Sequence, residues 1–262
     1  MNYSKELSVA INCAHRAGKL QMHALNGENN ILRKEDASPV TDVDKACEEM
    51  ICSTLTDIFP DDGFLGEESG GTNGSSGRRW IVDPLDGTRP YIHGIPTWST
   101  LIALEEESVP VVGVINLPAL NMTCWAGRGG GAFLNGEPVR VSRTSVLEEA
   151  MGSALGFLEH PDCTLRESLL ALMRRWDYAY GFMDAFSYVC MASGRLDCCI
   201  SLLDKPWDCA AAACIATEAG GKFTDVGGNG SVHNGTTVLS NGVLHPLILE
   251  HFSSRLIKQG PP

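Results

Sequence analysis

The chain has 262 residues, of which 44% are hydrophobic and 20% charged, and a formal net charge of −12. This length and composition suit one large globular domain or two small ones and exclude an intrinsically disordered chain. The acidic balance, with no basic run longer than pairs such as Arg78-Arg79 and Arg174-Arg175, argues against a nucleic-acid partner.

Leu7, Ala10, Ile11, Ala14, Ala17 and Leu20 recur at helical spacing. A first amphipathic helix is therefore expected over 6–25, with Ser4 as its N-cap and Asn26-Gly27 as its stop. A second is expected over 42–58, capped by Thr41 or Asp42 and followed by Pro60. The stretch 70–77, rich in Gly and Ser, reads as a mobile surface loop. Trp80-Ile81-Val82 reads as a short strand that stops at Asp83-Pro84. Strands follow over 100–104, 109–117, 122–126 and 131–135, and Asn135-Gly136 is a hairpin-turn signal. From Ala150 onward strands and helices alternate, with helices over 165–175, 184–193 and 210–219, the last closed by Gly220-Gly221. A subdomain boundary is expected near 143–149.

None of the ten cysteines forms a C-x-x-C pair, and Cys198 and Cys199 are adjacent. Buried thiols in a reducing compartment are expected, not a zinc site or a disulfide framework. The first 25 residues carry charges throughout and no signal-peptide core, and no stretch approaches a membrane span. A cytoplasmic location without a membrane partner is the expectation.

Three segments carry candidate chemistry: Gly66-Glu67-Glu68-Ser69, Trp80 to Thr88, and Pro206-Trp207-Asp208. Asp83 and Asp86 flank a turn stiffened by Pro84, Gly87 lets a ligand approach the backbone, and Thr88 adds a hydroxyl. Exposed N–H groups in such a turn suit phosphate oxygens. A lone D-x-x-D-G-T is equally a capped turn before a helix. Acidic residues at three apolar strand or helix ends, however, suggest carboxylates that converge. Converging carboxylates repel unless a hard divalent cation joins them, and Mg²⁺ prefers oxygen ligands. Two such ions can clamp the attacking water and the leaving oxygen of a phosphoryl transfer.

These motifs resemble the inositol monophosphatase superfamily. The resemblance runs over PVTDVDKACEE (39–49), GEES (66–69), IVDPLDGT (81–88) and PWDCAAAACIATEAGG (206–221), and from the first helix to near residue 250. It implies an α/β fold, a layered α/β/α/β/α sandwich, Mg²⁺ (or Mn²⁺) dependence and a homodimer. Its substrate is a small phosphorylated metabolite, hydrolysed by direct attack of a metal-activated water. By motif position, Glu67, Asp83 and the Leu85 carbonyl resemble ligands of a first metal, and Asp83, Asp86 and Asp208 ligands of a second. Asp44 and Thr88, with Glu67, resemble the catalytic set that orients and activates the water, and the Gly87 and Thr88 N–H groups would hold phosphate. Residues 1–145 then form an α+β half with most ligands, and 146–262 an α/β half with Asp208 and the substrate-selecting residues, in one catalytic unit. Lys34, or its neighbour Arg33, resembles the family's basic residue near the metals.

Finer motifs resemble the histidinol-phosphate phosphatase branch, which performs the last dephosphorylation on the way to histidinol. They are DGTR (86–89), GIPTWSTLIAL (94–104), PVVGVI (110–115) and the stretch 180–188. Inositol phosphatases usually carry a small residue where Asp184 stands and a Glu where Ser201 stands. Asp184 can pair with a cationic substrate or cap its helix. Asp204 is a second acid candidate, or a loop residue. Arg89 can contact phosphate or form a surface pair, and His93 reads as structural. The alternatives are an inositol-1-phosphate or broad sugar-phosphate monophosphatase and, in another class, a non-catalytic binding protein on the same fold.

Overall fold

The computed structural model describes residues 3–25, 31–33, 39–158, 160–181 and 184–258. Helix α1 (Ser4–Ala24) leads to a two-stranded ribbon, β1 (Ile31–Arg33) and β2 (Pro39–Thr41), and then to α2 (Asp42–Ile58). Next come β3 (Gly63–Gly66), β4 (Gly70–Thr72), β5 (Arg78–Asp86) and the short helix α3 (Thr88–Ile92). A meander of β6 (Ser99–Glu106), β7 (Val109–Leu117), β8 (Met122–Gly127), β9 (Ala132–Leu134) and β10 (Glu137–Val139) follows. The remainder runs β11 (Met151–Leu155), α4 (Cys163–Met173), β12 (Tyr178–Tyr180), α5 (Asp184–Ala192), β13 (Cys198–Ser201), α6 (Pro206–Glu218), β14 (Lys222–Thr224), β15 (Thr237–Ser240) and α7 (His245–Lys258).

The strands form an eight-stranded sheet, β10-β9-β8-β7-β6-β5-β3-β4, and a five-stranded sheet, β12-β11-β13-β15-β14. Side-chain alternation builds the layers. Trp80, Val82, Ile102, Leu104, Val112 and Val114 face outward onto α1 and α2, while Ile81, Leu101, Ala103 and Ile115 face inward onto α5 and α6. In the second sheet Cys199 and Leu239 face that same middle layer, and Cys198, Ile200 and Val238 face α4 and α7. The result is the expected α/β/α/β/α sandwich. α6 is apolar all round because it lies between two sheets. It approaches β7 so closely that a Cβ on Gly113 would lie 2.4 Å from the Ala211 carbonyl oxygen.

Several local readings shift. Ser4 lies inside α1, and the N-cap is Tyr3, which makes no side-chain cap bond. The 26–27 stop lies outside the described residues, as does Lys34, and the Arg33 side chain is likewise not described. Thr41 caps α2 as expected. Residues 70–72, read as loop, pair antiparallel with β3 through backbone alone. β5 does not stop at Asp83 but continues through Pro84 to Asp86. α6 starts at Pro206, four residues earlier than its alanine run suggests, because proline is pre-set for the first helical position. Among the described residues the ten cysteines are free thiols, mostly buried, as expected.

Candidate active site

The site forms where β5 breaks register. β5 pairs with β6 through Asp83↔Leu101 and resumes at Asp86↔Ser99, so β5 carries one extra residue there. A bulge tolerates Pro84, whose missing N–H would weaken a regular ladder. The Asp83 carboxylate accepts the Leu85 N–H at 3.0 Å. Asp86 accepts Ser99 Oγ at 2.8 Å and the Ala185 N–H at 2.9 Å, which docks the start of α5 onto the turn. Gly87 follows at φ +79°, and a Cβ there would sit 3.0 Å from Asp184 Oδ2. Thr88 opens α3, with Oγ1 3.2 Å from Asp44 Oδ1 and 3.3 Å from the Leu85 carbonyl.

Asp44 reaches this point from the first turn of α2. Its other carboxylate oxygen accepts the Thr41 N–H at 2.8 Å and the Thr41 hydroxyl at 2.5 Å, so one side chain both completes the helix cap and faces Thr88. Glu67 follows β3, which runs parallel to β5, and its N–H continues the pairing to the Val82 carbonyl at 3.2 Å. Asp208 projects from the first turn of α6, where its Oδ2 accepts the Lys205 N–H at 2.6 Å.

The electrostatics record how close these acids lie. Burial first, then the facing charges of Glu67, Asp86 and Asp208, hold the Asp83 carboxyl well above the ordinary carboxylate range. Asp86 is pushed up to about 8, by burial and then by Asp184. Asp208 is raised by burial and next by Asp204. Burial alone lifts Asp184 to about 6. No Lys or Arg charge is among the causes that offset these shifts, Lys205 giving Asp208 only its backbone N–H.

Among the described residues no three of these side chains are already drawn into a coordination group. Their donor chemistry nonetheless fits a hard cation: Glu67, Asp83, Asp86 and Asp208 offer only oxygens, and their mutual repulsion is what a divalent ion relieves. The Leu85 carbonyl lies in the same turn.

Asp184 is the most unusual residue here. It sits at φ +60°, a strained setting for a non-glycine residue, and its buried Oδ2 has no hydrogen-bond partner among the described residues. Asp204 lies in the loop between β13 and α6. It accepts the Ser201 hydroxyl at 2.5 Å, lies 3.4 Å from the Tyr188 hydroxyl, and its charge raises both Asp86 and Asp208. Arg89 stands exposed on α3. His93 bonds back to the Arg89 carbonyl at 2.9 Å, the structural role expected of it. Glu48, which sequence reasoning passed over, is 2% exposed and accepts the Glu68 and Ser69 N–H groups at 2.9 and 2.6 Å, fastening the Glu67 loop. Its spacing four residues after Asp44, on one face of α2, was the available signal.

The chain and its fold have counterparts among known proteins. A histidinol-phosphatase of Chlorobaculum parvum is 39% identical over 246 residues, 90% of this chain and 91% of that protein. A histidinol-phosphatase of Mycobacterium tuberculosis is 37% identical over 255 residues, 95% and 98% of the two chains. The solved structure of an IMPase from Thermotoga maritima superimposes with a TM-score of 0.85 at 30% identity, covering 98% of this chain and all of that one. The sequence profile of the inositol monophosphatase family matches residues 2–256, and the chain therefore belongs to the inositol monophosphatase family.

Proposed function

We propose that this chain is a phosphomonoesterase dependent on Mg²⁺ or Mn²⁺ that hydrolyses histidinol phosphate to histidinol and phosphate. The carrying observation is the excess of carboxylate in one crevice, where Asp83 is buried and Glu67, Asp86, Asp184, Asp204 and Asp208 are half-buried. Beyond Glu67, Asp83, Asp86 and Asp208, Asp184 and Asp204 lie close enough to add their charge, and among the described residues no Lys or Arg charge offsets it. Four ligand carboxylates suit two divalent ions, and a phosphate monoester adds further negative charge. Two additional acids are then best matched by a substrate that carries a positive group, such as an amine or a protonated imidazole. A neutral polyol has none.

A bound divalent cation would supply Lewis acidity to the phosphoryl oxygens and lower the pKa of water. Glu67, Asp83, Asp86, Asp208 and the Leu85 carbonyl would hold it. The rest falls to the chain. Thr88 donates its one hydroxyl proton toward Asp44, which leaves its lone pairs to accept a hydrogen bond from the attacking water; as that water gives its proton to Thr88 Oγ1, the Thr88 proton passes to the Asp44 carboxylate. Asp44, anchored by Thr41, keeps that hydroxyl oriented. The Gly87 and Thr88 N–H groups would face phosphate, Arg89 stands at the rim for it, and Asp184 takes the cationic end of the substrate. A homodimer and a cytoplasmic location belong to the same reading. Light scattering tests the first, and among the described residues no helix is long and apolar enough to cross a membrane.

The test compares kcat/KM for histidinol phosphate, inositol 1-phosphate and glycerol phosphate in wild type and Asp184→Asn. The substitution is expected to cost roughly 1.5–3 kcal/mol on histidinol phosphate, the scale of a hydrogen bond to a charged group, and to leave glycerol phosphate unchanged. A wild-type preference for inositol 1-phosphate would favour the broader alternative. An equal loss on both substrates would make Asp184 a support of the site and not its selector.

A further inference from the structure

We propose that Gln21 and Thr100 form a side-chain clamp that fixes the Pro84–Leu85 peptide plane at the β5 bulge and thereby aims Asp83 at its cation. The inference rests on the metal-dependent reading above and adds two positioning residues to it.

The bulge creates the need. Where β5 and β6 lose register, Pro84 has no partner residue on β6, and a buried carbonyl must still find a donor. It receives two, the Gln21 side-chain amide at 2.8 Å and the Thr100 hydroxyl at 3.1 Å. The same amide also donates to Thr100 Oγ1 at 2.8 Å, which closes a ring of three hydrogen bonds. The Gln21 amide and the Thr100 proton are thus committed to this one carbonyl and to each other. Gln21 and Thr100 are each 0% exposed, so water does not compete.

The carbonyl of Pro84 and the N–H of Leu85 belong to one planar peptide unit. The clamp holds its oxygen edge, and the Asp83 carboxylate accepts its N–H edge at 3.0 Å. A tilt of this plane therefore turns Asp83, which faces Glu67, Asp86 and Asp208. Gln21 also grips the far side of the motif, because its main-chain carbonyl accepts the Tyr91 hydroxyl of α3 at 2.9 Å. One residue of α1 so ties together both flanks of the segment from Asp83 to Thr88.

A purely structural role fits Gln21 poorly. Its Oε1 is buried with no partner among the described residues, and an unpaired acceptor destabilises a fold. An apolar side chain in this helix would avoid that penalty but would leave Pro84 to Thr100 alone. Such residues are expected where a site trades stability for function.

The test uses the full chain with Gln21→Leu, Thr100→Val and Thr100→Ser. Mn²⁺ uptake is measured by electron paramagnetic resonance, the Tm of metal-free protein by calorimetry, and the Mg²⁺ half-saturation point of activity by titration. Gln21→Leu and Thr100→Val are each expected to weaken Mn²⁺ binding about 10- to 100-fold, the usual consequence of losing an outer partner of a metal ligand. Their combined loss is expected to be smaller than the product, and Thr100→Ser, which keeps the hydroxyl, is expected to bind as wild type. Should Gln21→Leu not fold, the Thr100 pair carries the same comparison. Equal Mn²⁺ uptake by wild type and variants, with only Tm lowered, would overturn the clamp alone. No uptake by the wild type would overturn the metal-dependent reading and the clamp with it.

Discussion

The two ends of β5 treat charge in opposite ways. At its start, Arg78 pairs with Glu6 at 2.9 Å and Asp62 at 2.8 Å, and Arg79 pairs with Glu105 at 2.7 Å. His233 meets the other Glu105 oxygen at 2.7 Å, and the Trp80 indole donates to Asp62 at 3.1 Å. At its end, about 25 Å on at the usual rise of a strand, Asp83 and Asp86 face further acids and, among the described residues, no offsetting Lys or Arg charge. One strand thus carries a finished ion-pair network and an unfinished one. Charge balanced inside the chain holds elements together. Charge left unbalanced awaits something from outside, and it destabilises the chain until that arrives.

The largest expected effect breaks the unfinished end. Asp83→Asn is expected to lower kcat by a factor on the order of 10³ or more, since removing one oxyanion- or metal-type stabiliser costs on that scale. It is also expected to leave the metal-free protein as stable as wild type or more stable, because one of several like charges is gone. Chelation of metal by EDTA should abolish wild-type turnover. Retained activity in Asp83→Asn, or a large fall in its stability, would erase the contrast between the two ends.

Next come Asp44→Asn and Thr88→Ala. Each is expected to reduce kcat by roughly 10²–10⁴, the range of general acid–base contributions. The double variant should lose less than the product, because the two act as one unit. Asp44 also completes the cap of α2, so unfolding curves must accompany the kinetics, a lost cap being worth about 1 kcal/mol. Strictly multiplicative losses would mean that the two residues work apart.

At the balanced end the signs reverse. Arg79→Met leaves Glu105, 4% exposed, with His233 alone. Stability is expected to fall by roughly 1–3 kcal/mol, less than for a fully buried pair because Arg79 is partly open to solvent. Activity at saturating Mg²⁺ should stay within twofold. Urea unfolding and kcat measured on one preparation decide it. A tenfold loss of kcat would show that the two ends are coupled.

How much of this was legible beforehand depends on the range of the contacts. The acids of 81–88 and 206–208 were legible because each lies in a dense local motif beside a strand or helix end. The layer order was legible because apolar alternation survives along β5, β6 and β7. The readings that failed concern backbone-only or distant partners. β4 is Gly-Gly-Thr and pairs without side-chain help. Pro84 suggests a strand stop until a bulge accommodates it. Gln21 touches Pro84 across 63 positions, and Asp86 meets Ala185 across 99. No periodicity encodes such pairs, and they appear only when the layers close.

The smallest prediction concerns a third way of handling charge, which is to forgo it. His245 opens α7 with its two ring nitrogens 2.7 Å from Ser240 Oγ and 3.0 Å from Thr224 Oγ1, and it is 3% exposed. Burial first, and Lys222 second, lower its pKa from 6.5 to about 4. The unfolded chain therefore binds this proton more readily than the folded one. The contribution is fully present above pH 6.5, declines as pH falls toward 4, and is gone below that. Its size is roughly 1–2 kcal/mol, taking 1.36 kcal/mol per pKa unit and discounting for solvent screening. His245→Gln loses the imidazole hydrogen bonds at every pH, so the informative quantity is the slope. The stability gap between wild type and His245→Gln should be widest at pH 7.5 and shrink by pH 4.5. The crevice carboxylates titrate in the same window but are shared by both proteins, so the difference isolates one imidazole. A gap that stays constant with pH would mean that the buried imidazole takes up its proton in the fold as readily as in the unfolded chain, so that burial sets no limit on its charge.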